Sequence, residues 1–319
     1  MLSNNIDYIK EIQKLYLTNK KINIAIFLSG RIIYYEHFYE TILERLCLNE
    51  NYNIKVFFSI NTISFDKHID INEEISKVKK VFGTTFGDLR YENYKLPYSF
   101  SKHHLHPDSK LYTFPNNMYN IFSLFYNDKK NLELINAYET ANNISFDILC
   151  KIRTEFMLLG PLFQFTLDKK EDTILRYSHI QEVRYWGHRY PNLPFRMLGD
   201  TFVYGNKKSM TLYCSTYDWI CEQNKKMNGN YFHGGEILLT DSVLRYAFYD
   251  VPGGGQEPRL TEEEIIEKYT NNPNHLKLIY LDDVKHFLHQ SLNGKEKNAN
   301  TVKLTPYTIL DYTNPDITS

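Results

Sequence analysis

Two apolar runs near the start of the chain constrain its fold most. Ile22 to Leu28 and Tyr52 to Ser59 each read as a strand. Between them lie a turn, Ser29-Gly30-Arg31, and a helical pattern from Tyr35 to Leu48. Strand, glycine turn, helix and strand within ~40 residues make a βαβ unit, whose crossover leaves the two strands parallel. A third apolar run, Phe146 to Ile152, follows a long helix predicted over Asn117–Asn142. That helix carries Met118, Ile121, Phe122, Phe125, Leu132, Ile135 and Tyr138 largely on one face, the spacing of an element packed against a sheet. The fold expected is therefore α/β, a Rossmann-type three-layer sandwich with a mostly parallel central sheet. Such sheets bind ligands at the carboxyl ends of their strands, so the residues that end these runs are the first candidates for a site.

The remaining pattern is consistent with one main domain. Helices are predicted over Ile6–Tyr16, Ile71–Phe82, Ser209–Gln223, Gly235–Arg245 and Glu262–Tyr269. Short strands are predicted at Thr173–Tyr177, Thr201–Tyr204 and Leu276–Leu281. Leu89 to Asp108 reads as irregular, because Pro97 and Pro107 break any long element. We expect an amphipathic helix over 1–20, an α/β domain over 21–250, and a C-terminal extension over 251–319. In the extension, expected as a lid or acceptor region, Gly253-Gly254-Gly255 is a hinge or a lid over a donor site.

Charge excludes some classes of function. Lys and Arg number 37 against 38 Asp and Glu, so no basic excess points to nucleic acid. Cys47, Cys150, Cys214 and Cys221 are scattered without zinc-ligand spacing. No apolar run approaches the ~20 residues that span a bilayer, and Ile6 to Leu17 is amphipathic rather than a leader core. A reduced, cytoplasmic protein is expected. The 26 Tyr and 20 Phe do not by themselves indicate sugar stacking. With abundant Asn, Ile and Lys and little Ala, they fit an A/T-rich coding sequence, such as that of a large DNA virus (hence host cytoplasm) or a low-GC microbe.

Four stretches carry possible chemistry. Lys151, Arg153 and Glu155 alternate at the end of the third strand, so all three share one side of it. They serve either a surface salt bridge or a diphosphate and its metal. Ser29-Gly30-Arg31 is either an ordinary tight turn or a place where backbone approaches a nucleotide, with Arg31 on a phosphate. Asp200, in Gly199-Asp200-Thr201-Phe202-Val203-Tyr204-Gly205, is either a strand cap or a ligand to a sugar. Glu236 opens a helix after His233-Gly234-Gly235. It either complements the helix dipole or acts as base toward an acceptor hydroxyl. His103-His104-Leu105-His106 reads first as a solvent-exposed loop, and His286 with His289 as one face of a helical segment.

Taken in order, these pieces resemble the glycosyltransferase A-type enzymes of bacterial and giant-virus surface polysaccharide synthesis, including the WavE-like lipopolysaccharide synthesis proteins. The resemblance rests on Ile24–Arg31, on Tyr138-Glu139 with Phe146–Glu155, on Gly199–Gly205 and on Gly235–Leu239, and it covers about residues 22–245. Arg31 stands where the family usually has Gln, Ile33 where it has Arg, and Glu155 where it has Asp. The resemblance implies a GT-A-like fold and transfer of a sugar from a nucleotide-sugar donor to a glycan or glycoconjugate acceptor. It implies donor binding by Ser29, Gly30, Arg31, Lys151 and Arg153, with Glu155 holding Mn or Mg where metal is used. It further implies chemistry at Glu236, Asp200 and Arg153. Against it stand a catalytically silent relative that binds nucleotide or glycan, and a nucleotidyltransferase.

Overall fold

Strand β1 (Ile22–Gly30) buries both of its faces, so helices must cover it on each side. It pairs in parallel with β2 (Tyr52–Asn61) and with β4 (Ile148–Arg153), and β2 pairs in parallel with β3 (Phe86–Glu92). The computed structural model describes residues 21–30, 36–47, 49–61, 70–92, 116–153, 156–158, 163–178, 192–196, 198–226, 235–245, 260–281 and 286–288. Beyond β4 come β7 (Phe202–Gly205), β6 (Thr173–Ser178) and β8 (Leu276–Tyr280), which complete a seven-stranded sheet of order β3-β2-β1-β4-β7-β6-β8. Among the described strands of this sheet only β7 runs against its neighbours. A mixed α/β fold with a mostly parallel sheet is thus observed. Strands β5 (Phe156–Leu158) and β9 (His286–Leu288) form a separate antiparallel pair.

The pleat divides the core in two. Ala25, Phe27, Phe57, Leu149 and Val203 face α3 (Asn116–Asn142), α4 (Lys207–Cys214), α5 (Thr216–Lys226), α6 (Gly235–Leu244) and α7 (Glu262–Thr270). Ile24, Ile26, Leu28, Val56, Phe58, Ile148 and Cys150 face α1 (Glu36–Ile42), the π-helical turn after it, and α2 (Ile71–Phe82). Helix α2 has the predicted bounds because both its ends are coded locally. The Asp70 carboxylate accepts from the Asn72 and Glu73 amides at 2.9 and 3.4 Å, and Gly83 at φ 49° ends it. The 27-residue α3 returns the chain from β3 to β4. Its end is fastened by the Glu139 carboxylate, which accepts from the Phe146 amide at 2.8 Å and pairs with Lys207.

Several expectations change. Phe86–Glu92 is a strand where Leu89 onward was read as irregular. It is an edge strand of half-exposed residues held by backbone pairing to β2, so it shows little apolar signal. The helix predicted over Ser209–Gln223 is two, divided at Ser215. There the Ser215 and Thr216 hydroxyls bond back to the carbonyls of Leu212 and Tyr213. His286 lies in strand β9 rather than on a helix face. Strand β8 comes from the segment expected as an extension, yet it belongs to the main sheet, with Leu276 and Leu278 buried. One compact unit accordingly continues to Leu288, and residue 250 does not bound it. The helix expected over 1–20, the His103–His106 tract, Gly253–Gly255 and His289 lie outside the described residues. No helix among the described residues is long and apolar enough to cross a membrane.

Gly205 shows how tightly β7 meets its surroundings. A Cβ added there would lie 2.5 Å from the Ile174 carbonyl oxygen and 3.0 Å from the Ser209 Cβ. Backbone on one side and a packed helix on the other leave no room for it. Gly205→Ala should cost about 1–3 kcal/mol through overpacking, measured as a lower urea midpoint at unchanged m-value. A midpoint equal to wild type would mean that β7 and α4 move apart freely.

Candidate functional site

The order of connections creates the site. From β1 the chain moves outward through β2 to β3, and α3 then carries it back to β4 on the other side of β1. The connections that leave β1 and β4 therefore diverge. Their carboxyl ends form a topological switch point, where open α/β sheets leave a crevice. The β1–β4 register sets Ser29 opposite Arg153 at this point. Gly30 ends β1 at φ 138°, a conformation that residues with a Cβ rarely adopt.

Alternation then brings Ser29, Ser59, Lys151 and Arg153 to the α3 side of the sheet. Helix α3 meets them with a polar face. The Asn131 amide donates to the Leu28 carbonyl at 3.1 Å and to the Ser29 hydroxyl at 3.0 Å. The Ser59 hydroxyl donates to the Asn127 side-chain oxygen at 3.3 Å. These bonds hold the carboxyl ends of β1 and β2 against one stretch of α3.

At the centre lies Lys151, with a relative exposure of 0%. Its ammonium donates to the Asp200 carbonyl, stands 3.9 Å from the Asp128 carboxylate, and lies 5.9 Å from the centre of the Tyr213 ring. Asp128 is 1% exposed, and neither of its oxygens has direct hydrogen-bond geometry to a partner among the described residues. Burial raises its pKa to about 6, against the opposing pull of Lys151 and the Ser29 hydroxyl. Burial, followed by Asp128 and Asp200, likewise pushes the Tyr213 phenol well above its ordinary range. Arg153 is the outermost cation, with 30% of its side chain exposed. Its guanidinium pairs with Asp200 at 3.2 Å and its amide donates to the Thr201 carbonyl at 3.1 Å. Asp200 is thus held from both sides, its carbonyl by Lys151 and its carboxylate by Arg153.

The structure brings together four of the expected residues, Ser29, Lys151, Arg153 and Asp200. It alters the part expected of Lys151. A wholly buried ammonium presents no surface to a ligand, and of the two cations only Arg153 has an exposed side chain. Glu236 is half-buried in the first turn of α6, whose Gly235 abuts Ile121 of α3. The C-terminus of α3 leads into the start of β4, so its early turns, with Ile121, lie at the carboxyl end of the sheet. The Thr240 hydroxyl donates to the Glu236 carbonyl at 2.8 Å and accepts from the Leu198 amide at 3.0 Å. This ties the start of α6 to the loop that carries Asp200. Arg31 and Glu155 lie outside the described residues.

Asp128, Asn127 and Asn131 were missed by reading the sequence. Their signal was present, since Asp128 and Asn131 interrupt the apolar stripe between Phe125 and Ile135 of a long helix. Among the described residues no group of three His, Cys, Asp or Glu is placed to hold a metal ion. Asp128 and Asp200 each lie beside a cation, Lys151 or Arg153, which makes them poor donors to a second one. The described residues do not by themselves fit a metal.

Removing Lys151 would leave Asp128 buried without its nearest cation. Lys151→Met, which keeps most of the side chain's length and removes its charge, should destabilise the protein by about 3–5 kcal/mol at pH 8. Protonating Asp128 relieves the uncompensated charge, so the deficit should shrink at pH 5. Urea denaturation at the two pH values measures it, and an equal deficit at both would show that Lys151 serves packing alone. No protein-family model and no curated protein matches the sequence, so the chemistry is argued from this geometry.

Proposed function

We propose that the chain is a glycosyltransferase of GT-A-like fold that moves a sugar from a nucleotide-diphosphate sugar to a glycan, lipid-linked or protein acceptor. The observation that carries the reading is a half-exposed Arg153 at the switch point of a mostly parallel sheet, backed by a buried, charge-paired support. A guanidinium there matches two phosphate oxygens at once.

The nucleoside lies over the backbone at Gly30, where β1 ends, and the wholly buried Ser29 supports that strand end from beneath. Arg153 turns from Asp200 to the diphosphate and neutralises the charge that grows on it as the bond from the sugar C1 breaks. Asp200, relieved of Arg153, accepts hydrogen bonds from the sugar hydroxyls. Lys151 keeps the Asp200 carbonyl in place from beneath. The acceptor oxygen attacks C1, Glu236 takes the acceptor proton, and a nucleoside diphosphate leaves. Glu155, which lies outside the described residues, would hold Mn or Mg if a metal is used.

The charge balance favours a second reading. Lys151 and Arg153 are matched by Asp128 and Asp200, which leaves little net positive charge to stabilise a departing diphosphate and so suits a relative that binds glycan or nucleotide without turnover. A nucleotidyltransferase would differ again, in releasing pyrophosphate from a nucleoside triphosphate.

A thermal-shift panel of UDP, GDP, CDP, dTDP and their sugars, each with Mn and with a chelator, tests the reading. A donor at ~100 times its Kd should add ~2.7 kcal/mol of stability. Arg153→Met should abolish the shift. Stabilisation only with Mn makes Glu155 the leading metal ligand, and equal stabilisation in chelator means that Arg153, backed by Lys151, replaces the metal. A flat panel overturns the transferase reading. Where a donor binds, Glu236→Gln should preserve the shift and lower kcat at least ~100-fold; equal loss of donor affinity would make Glu236 a binding residue.

A further inference from the structure

Asp128 is a buried carboxylate beside the site that the proposed reaction leaves unused. It is charged when ionised, 1% exposed, and without direct hydrogen-bond geometry to either oxygen among the described residues. Two further buried polar atoms of this region, the Asn131 side-chain oxygen and the Tyr213 hydroxyl, also lack such a partner. Buried polar atoms usually find one, so their gathering at one place marks a built feature. The groups facing Asp128 come from each element around it: Ser29 of β1, Lys151 and Arg153 of β4, Asp200 before β7, and Tyr213 with Cys214 on α4.

We propose that Asp128 is a positioning residue whose protonation is coupled to anion binding at Arg153, so that a diphosphate is bound together with a proton. This rests on the reading of the carboxyl edge as a diphosphate site. With Asp128 and Asp200 ionised, the cluster of Asp128, Asp200, Lys151 and Arg153 is neutral and offers an anion little net attraction. A proton on Asp128 gives the cluster one positive charge. It also frees Lys151 from its nearest carboxylate, while the Asp200 carbonyl keeps the ammonium in place. An anion at Arg153 makes a negative Asp128 costlier and thereby holds that proton. The two events are reciprocal, as linkage requires. No bond other than that to the proton changes, and solvent supplies it.

The sign is fixed by charge, since a proton on Asp128 adds positive charge beside the anion, and the raised pKa sets only the pH window. Asp128 titrates near pH 6 in the free protein, and its proton favours the anion, so affinity rises as pH falls through that value. The test follows the Asp128 carboxyl carbon by NMR over roughly pH 4.5–8, with Asp128→Asn identifying its signal. It is run in chloride, with sulfate at matched ionic strength, and with UDP-glucose, whose phosphates keep constant charge over this range. The expected result is an upward move of Asp128 by about half a unit or more on anion binding, hence about 3-fold tighter anion binding at low than at high pH. Asp128→Asn should bind the same anion with flat pH dependence. An Asp128 that titrates in the ordinary range near pH 4, or that responds to neither anion, overturns the coupling. The wild-type titration decides this even if the variant folds poorly. A response to sulfate without UDP-glucose binding would uphold the coupling and count against a UDP-sugar donor. Binding of UDP-glucose with an unmoved Asp128 would uphold donor binding and refute the coupling.

Discussion

Everything at the carboxyl edge depends on a cation held away from water. Lys151 lies in the middle of the sheet, on the side covered by α3 and α4, with no exposed surface. Desolvating an ammonium costs several kcal/mol unless carboxylates and carbonyls replace its hydration. Asp128 and the Asp200 carbonyl supply that replacement from two distant parts of the chain. The loop before β7 is thereby drawn onto the end of β4, and the carboxylate of Asp200 is delivered to Arg153.

Helix α3 links this charge to the fold. Its Phe122, Phe125 and Ile135 join the core, while Asn127, Asp128 and Asn131 on the same helix face the ends of β1, β2 and β4. One rigid element therefore both closes the crossover and carries half of the polar support. Tyr126 and Phe122 also pack against Tyr217 of α5, so movement of α3 would be felt on both sides of the site. Sites carried on such elements hold their geometry better than sites on loops.

In this arrangement Arg153 and Asp200 occupy each other. The pair keeps a guanidinium oriented and its charge balanced until an anion competes for it. In the proposed transfer, catalysis would come from preorganised charge. Contacts of a diphosphate with the guanidinium would there offset the cost of separating the pair. The buried members beneath it decide how large that cost is.

Much of the fold was legible locally. Continuous apolar runs marked β1, β2 and β4, and end signals marked α2 from Ile71 to Phe82. Edge strand β3 escaped because its pairing is made by backbone and its side chains are half-exposed. The alternation of Lys151 with Arg153, and their place at a strand's carboxyl end, were determined by the sequence alone, because pleat and crossover handedness are local rules. Only the tertiary structure decided that the two cations have opposite surroundings, one buried and one half-exposed. It also decided that Asp128 and Asp200, 23 residues before and 49 residues after Lys151, share its charge. The reason is physical: a side chain's partners across a sheet depend on which strands become neighbours and on how a helix lies over them, and neither is written in the period of any one segment.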